Sequence, residues 1–261
     1  MRVPVARKSL GQHFLADRNI AVKIVKALKE HLPGGTVVEL GPGGGALTGL
    51  LLEAGLELWA IEVDRRMISL LRDRFPQLAP QLVEGDFLKL ELNKIFNKPI
   101  ALVGNFPYNI SSQIVLRIFE QRHLIPLVVG MFQREMARRL TAPSGNKDYG
   151  ILSVLVQATY QVEYLFEVGP QCFIPPPKVY SAVVRMRRRE PQLSFPEQLL
   201  RKVLRAAFGQ RRKQLGNSLR ELLPAAFPRN DERLKLRPEQ LSVEQWLAFA
   251  EALEAAGFER H

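Results

Sequence analysis

The sequence predicts an α/β fold: a mostly parallel sheet wrapped by helices, closed by an antiparallel hairpin, and followed by a small helical C-terminal domain. Three observations carry this expectation. From Thr36 onward, short apolar runs alternate with helical patterns. A glycine-rich turn, Gly41-Pro42-Gly43-Gly44-Gly45, follows the first of those runs. Beyond Arg189 the strand-like runs cease. The 261 residues, 46% hydrophobic and 24% charged, suffice for a substantial core in one large domain plus a small one.

Taken in order, residues 36–40 read as the first strand, 46–53 as its helix and 58–63 as the second strand. A helix over 65–75 stops at Pro76. Residues 81–84, 100–104 and 126–132 supply further strands, and 111–121 and 133–140 further helices. Residues 141–147, rich in Pro, Gly, Ser and Asn, predict a mobile loop before an apolar helix over 149–159. The runs 162–168 and 179–186, joined through Pro170 and the prolines 175 to 177, read as the closing hairpin. Composition shifts at Arg187-Arg188-Arg189-Glu190-Pro191, which sets the expected domains at 1–190 and 191–261. Helices are expected in the second over 197–208, 212–223 and 243–256. There is no internal repeat, which disfavours a solenoid.

The formal charge of +11 points to a polyanionic partner, nucleic acid rather than membrane, because no apolar run approaches the roughly 18 residues of a membrane span. Residues 1–180 carry 21 Lys and Arg against 16 Asp and Glu, whereas the much shorter 181–261 carries 16 against 10. The denser charge gathers at Arg185, Arg187, Arg188 and Arg189, and again at Arg205, Arg211, Arg212 and Lys213. Such clusters suit either solvated helix faces or a stripe along a phosphate backbone. Cys172 is the sole cysteine, so an intramolecular disulfide and a thiolate metal cluster are excluded and a reducing cytoplasm is expected. His13, His31, His123 and His261 lack metal-ligand spacing, and the start of the chain lacks a signal-peptide pattern.

Gly41, Gly43 and Gly45 let a ligand approach backbone amides at a strand-to-helix turn. Gly41-x-Gly43-x-x-Ala46 also fits a dinucleotide fingerprint, with Glu62 where a ribose-binding acid belongs, so an oxidoreductase is an alternative. Against it, Glu39 ends the first strand, where dinucleotide folds prefer an apolar or small residue, and nothing downstream suggests hydride transfer. The two oxygens of Glu62 can accept from both hydroxyls of a ribose, and Asp86, beside Phe87, from an adenine amino group.

Asn105-Phe106-Pro107-Tyr108 lies at the C-terminal end of a strand, where open α/β sheets place their ligand crevice. Amide acceptors, a rigid turn and an aromatic face suit a planar base with an exocyclic amine. The N6 lone pair of adenine is delocalised into the ring and is a poor nucleophile. Acceptance of the N6 hydrogens by the Asn105 side-chain oxygen and the Phe106 carbonyl steers the nitrogen toward tetrahedral geometry. Pro107 keeps those acceptors aimed while Tyr108 stacks on the base. Preorganised dipoles meet the charge that develops on N6, so no strong general base is required, and no Ser-His-Asp or Cys-His set is evident.

With these motifs the chain resembles the S-adenosylmethionine-dependent adenine N6-methyltransferases, and among them the bacterial small-subunit (16S) ribosomal RNA adenine N6-dimethyltransferase family. The resemblance runs from about residue 8 to 222. It includes Ser9-Leu10-Gly11-Gln12-His13-Phe14-Leu15, the run from Cys172 through Phe173 to Val179, and Phe208-Gly209-Gln210-Arg211-Arg212-Lys213 with the six residues after it. It implies a Rossmann-like catalytic domain and S-adenosyl-L-methionine as cofactor. Gln12, His13 and Leu15 would fold over that cofactor, with Gly41 and Gly43 at its methionine end, Glu62 at the ribose, Asp86 at the adenine and Asn105 at the reacting centre. Phe173 would stack on the target base opposite Tyr108; on residue type alone it equally suits an apolar anchor for the Pro-rich loop.

The resemblance further implies dimethylation of two adjacent adenosines near the 3′ end of 16S rRNA, a pre-30S particle as partner, a role in ribosome biogenesis and a monomer without a membrane or metal. The helical domain, with Arg205, Arg211, Arg212 and Lys213, and the junction, with Arg187, Arg188 and Arg189, would read the RNA. Three positions depart from the family pattern: His13 replaces Asn, Phe106 replaces Leu or Ile, and Tyr180 stands where Asp is frequent. Alternatives are a large-subunit rRNA adenine methyltransferase, or an RNA-binding assembly or transcription factor on a methyltransferase scaffold.

Overall fold

A computed structural model describes residues 5–7, 10–32, 34–190 and 196–258; Lys8, Ser9, Pro191 and His261 lie outside the described residues. Strand β1 (Phe14–Leu15) precedes helix α1 (Arg18–Lys29), which the strand and helix expectations above do not include. The main series then runs β2 (Thr36–Leu40), α2 (Ala46–Glu53), β3 (Glu57–Glu62), α3 (Arg65–Arg74), β4 (Leu82–Glu84), a short α4 (Leu92–Ile95), β5 (Ile100–Asn105), α5 (Ser111–Glu120), β6 (Leu127–Gln133) and α6 (Arg134–Thr141). It continues with α7 (Ile151–Thr159), β7 (Tyr160–Val168), β8 (Phe173–Ile174), β9 (Ser181–Arg188), α8 (Glu197–Gly209), a one-turn α9 (Leu215–Ser218) and α10 (Val243–Ala255).

Seven strands form one sheet in the order β4-β3-β2-β5-β6-β9-β7, and β1 pairs with β8 in a separate two-stranded ribbon. The pairs β3/β4, β2/β3, β2/β5 and β5/β6 are parallel; β9 runs antiparallel to β6, with Val129 opposite Arg185. The strand order reverses between β2 and β5. In open α/β sheets the ligand crevice opens at such a switch point. Central strands are buried on both faces, which explains the unbroken apolar runs in β5 and β6.

Helix α1 is capped by Asp17, whose carboxylate accepts from the backbone of Asn19 and Ile20, and it buries Ala21, Ile24, Val25 and Leu28. Arg185, 7% exposed on β9, is held by Glu30 at 2.9 Å and Glu163 at 2.8 Å. A cation there is tolerated because both of its partners are carboxylates.

The chain packs as two compact units, Met1–Ala137 with Val162–Arg188, and Arg138–Gln161 with Arg189–His261. The second unit is thus not confined to residues after 190: it takes in α7. Tyr149, just before α7, packs edge-on against Phe208 of α8, and Phe208 lies 5.9 Å from Trp246 of α10. An apolar helix needs such partners to leave water. The helix expected over 212–223 is a second correction, since only Leu215–Ser218 is helical. The Leu215 amide bonds to the Leu236 carbonyl at 2.8 Å, a partner outside the run.

Candidate active site

The C-terminal ends of β2, β3, β4 and β5 open onto a cavity of about 420 Å³ within the first unit. Gly41 and Gly43 after β2, Glu62 at the end of β3, Asp86 after β4, and Asn105 with Phe106, Pro107 and Tyr108 at the end of β5 all line it. Gln12, His13 and Leu15 complete it from the N-terminal side. Sequence reasoning named these positions from five separate stretches, and the fold brings them together.

Glu62 is 5% exposed. Its Oε1 accepts from the amides of Val63 and Asp64, both at 2.9 Å, and its Oε2 accepts from Gly43 at 3.2 Å. Burial nevertheless pushes its pKa above the usual carboxylate range. Gly43 adopts φ +52°, and a Cβ there would come within 2.8 Å of the Phe14 ring. The turn therefore needs glycine twice over, for its conformation and for contact with the N-terminal segment.

Glu39, 2% exposed, also lines the cavity although it was not counted among the site residues. Burial, reinforced by the nearby Glu62, pushes its pKa up to about 8, against the stabilising bond from Thr48 Oγ1 at 2.6 Å. An acid at the buried end of an apolar strand is the signal that could have found it. Asp86 accepts from the Leu88 amide at 3.0 Å and so shapes its own turn. Among the described residues no Lys or Arg lines the cavity, whose acidic side chains are Glu39, Glu62 and Asp86. An acidic lining of this kind suits a cationic ligand.

The N-terminal segment is tied down residue by residue. Gln12 donates to Asp64 at 3.0 Å, and Asp64 is itself held to about pKa 2, chiefly by its hydrogen bonds from Arg66. His13 bonds through Nδ1 to the Pro175 carbonyl at 2.8 Å, and its own carbonyl accepts from Asn105 Nδ2 at 2.7 Å. A carbonyl can only accept, so this contact settles the Asn105 amide: Nδ2 faces His13 and Oδ1 is left as the acceptor.

Phe106 is fully buried, packed edge-on against Phe132 at 5.0 Å, and a Cβ on Gly130 would run into its ring. That anchorage, with the Phe106 amide donating to the Met131 carbonyl at 3.1 Å, fixes the backbone on which Pro107 follows. It also shows why Phe is accommodated at this position. Tyr108 is pinned at both ends, its hydroxyl against Ser181 Oγ and its ring stacked 5.5 Å from the His13 ring. Ser181 was missed by sequence reasoning, because it lies 73 residues from Tyr108 and meets it only through strand β9.

Two groups of expected residues lie elsewhere. Phe173 is 2% exposed and belongs to the core with Leu15 and Val183, and it does not line the cavity. Its strand partner is Leu15, and the two-residue period of the ribbon turns Phe173 inward and leaves Ile174 66% exposed. Phe173 is therefore an apolar anchor here, and the face expected to stack on a base is not presented. Among the basic residues, Arg187 pairs with Glu163 at 3.2 Å, Arg188 donates to the carbonyls of Arg122 and His123, and Arg189 to that of Gln157. These three hold structure together rather than forming a free stripe. In the second unit Arg211 is half-buried, bonded to the Asn146 carbonyl, whereas Arg205, Arg212 and Lys213 are exposed.

Sheet order, switch point and cleft define a methyltransferase-like α/β protein. A dimethyladenosine transferase from Plasmodium falciparum shares the fold with a TM-score of 0.81 and 27% identity, over 94% of this chain and 99% of that one. The 23S rRNA methyltransferase ErmE does so with a TM-score of 0.66 and 30% identity, over 92% of this chain and 99% of that one. The chain belongs to the ribosomal RNA adenine dimethylase family, which it matches over residues 4–254. It is 50% identical over 254 residues to ribosomal RNA small subunit methyltransferase A of Porphyromonas gingivalis, covering 95% of this chain and 97% of the relative. To the protein of the same name from Flavobacterium johnsoniae it is 47% identical, covering 97% of both.

Proposed function

We propose that this protein transfers methyl groups from S-adenosyl-L-methionine to N6 of two adjacent adenosines near the 3′ end of small-subunit rRNA, giving N6,N6-dimethyladenosine. It acts as a monomer on a pre-30S particle in the cytoplasm. The observation that carries the reading is the acidic cavity whose mouth holds a fixed amide acceptor, Asn105 Oδ1, beside Tyr108. An oxidoreductase is disfavoured by the match to the ribosomal RNA adenine dimethylase family over residues 4–254. The identity of 50% to a small-subunit enzyme, against 30% to a 23S enzyme, favours the small-subunit substrate.

The cofactor, when bound, supplies a methyl group made electrophilic by its sulfonium. Glu62, buried with no cationic partner, would hold the ribose hydroxyls, and Asp86 the adenine amino group. Asn105 Oδ1 accepts an N6 hydrogen of the target base, and the Phe106 carbonyl accepts the second, which concentrates the lone pair on the nitrogen. Tyr108 holds the base plane. Because these dipoles are anchored before the base arrives, they stabilise the charge that develops on N6 without reorganisation. The spent proton leaves from a cationic amine, which water can accept.

The test is to map N6,N6-dimethyladenosine in rRNA from cells with and without the gene. Loss of the adjacent pair of modified adenosines from small-subunit rRNA, restored by wild type and not by Asn105→Ala, is expected. Loss of a large-subunit modification instead, or no loss, would overturn the substrate assignment.

A further inference from the structure

Six large apolar side chains stand exposed among the described residues, and three of them, Ile174 at the end of β8 and Val179 and Tyr180 just before β9, fall within residues 174–180. Tyr180 is 47% exposed, yet it is not loose. The Arg134 guanidinium lies over its ring at 5.0 Å, and the Arg134 amide donates to the Tyr180 carbonyl at 2.9 Å. Arg134 is in turn held by Glu167 at 3.5 Å. One ring face is thus backed by a fixed cation while nearly half of the side chain meets water. The next residue is Ser181, whose hydroxyl meets that of the pocket residue Tyr108. An exposed, preorganised aromatic plane is therefore one residue along the chain from the contact with the pocket residue Tyr108, with the exposed Lys178 two residues before it.

We infer that Tyr180 is a stacking platform for the nucleobase that flanks the target adenosine; this rests on the RNA methylation proposed above. The chemistry is specific to that ligand. A base delivered into the pocket has left its stack, so its neighbour in the strand loses one stacking partner. An aromatic ring replaces that partner regardless of base identity, and a guanidinium behind it adds cation–π attraction and draws the phosphate backbone. If the two targets are adjacent adenosines, the neighbour is itself a purine, the base type with the larger face to cover.

The experiment pairs protein and RNA changes. Undermethylated small subunits are rebuilt with a ligated synthetic 3′ segment carrying either a normal or an abasic nucleotide on the 5′ or the 3′ side of the target adenosine. Binding and single-turnover methylation are measured for wild type, Tyr180→Ala and Tyr180→Phe. Tyr180→Ala should weaken binding to normal particles about tenfold, leave S-adenosylmethionine affinity unchanged, and lose most of its effect when one particular flanking position is abasic. Tyr180→Phe, which keeps the plane, should match wild type on every particle and reports that the fold is intact. The inference is overturned if Tyr180→Ala binds like wild type, or if its defect is the same with either abasic particle as with the normal one. Failure of wild type itself to methylate these particles would instead remove the substrate assignment.

Discussion

Replacing Asn105 by Asp and by Ala separates two jobs that the same amide performs. Its Nδ2 tethers the N-terminal segment through the His13 carbonyl at 2.7 Å, and its Oδ1 remains as the acceptor for the base. Asp keeps an acceptor but sets a carboxylate oxygen against a carbonyl oxygen, so the tether is lost. A part-buried neutral hydrogen bond contributes about 0.5–1.5 kcal/mol, so closure of the segment over the cofactor should weaken about 2- to 13-fold. Ala loses the tether and the acceptor together. Its methyl-transfer rate should fall by about two to three orders of magnitude, the scale for one preorganised polar group at a reacting centre. Calorimetry with S-adenosylmethionine reads the tether, and single-turnover methylation at saturating cofactor reads the acceptor. An unchanged Asn105→Ala rate would refute the proposed chemistry. Wild-type cofactor affinity in Asn105→Asp would refute the tether alone.

Glu62→Ala removes a charged hydrogen-bond acceptor and should weaken cofactor binding by about 1.5–3 kcal/mol, or about 13- to 160-fold; calorimetry showing normal affinity would remove the ribose assignment. Glu39 has its pKa raised on folding from 4.5 to about 8, so the folded state binds the extra proton between those values. Its contribution is therefore fully present below about pH 4.5 and is lost as pH rises to about 8. Glu39→Gln should accordingly gain in thermal midpoint relative to wild type across that window, and a difference that does not change with pH would contradict the burial argument. Reversing the charges of the exposed Arg212 and Lys213 should weaken binding to small-subunit particles and flatten its salt dependence while leaving cofactor affinity alone. Identical salt titrations of the mutant and wild type would make them a solvated surface.

Much of the sheet was legible because its signals are local. The strand from Thr36 to Leu40, the glycine turn and the helix from Ala46 to Glu53 stand where periodicity and turn chemistry place them. Helix α1 was missed although its signals are local as well: Asp17 is a ready N-cap, and Ala21, Ile24, Val25 and Leu28 repeat at helical spacing. What could not be read was set by distant partners. Phe173 turns inward because two residues of β8 pair with two of β1, a choice made more than 150 residues away. The arginines at 187 and 188 look like a free basic run until Glu163 and the carbonyls of Arg122 and His123 are in place.

The same few residues carry the closest coupling in the site. Gln12 bonds to Asp64 after β3, His13 accepts from Asn105 at the end of β5, Phe14 covers Gly43 after β2, and Leu15 pairs with Phe173 in β8. Four consecutive residues therefore touch four separate loops, those that line the cavity and the one that leads to Tyr180. Any displacement of this segment large enough to uncover the cavity breaks the Asn105 tether in the same movement. The amide then loses a contact that distinguishes its oxygen from its nitrogen, and with it the orientation that methyl transfer requires. Cofactor enclosure and the aim of the acceptor are thus coupled through one amide, and the two Asn105 variants are expected to divide affinity from rate because Asp loses only the tether whereas Ala loses the tether and the acceptor.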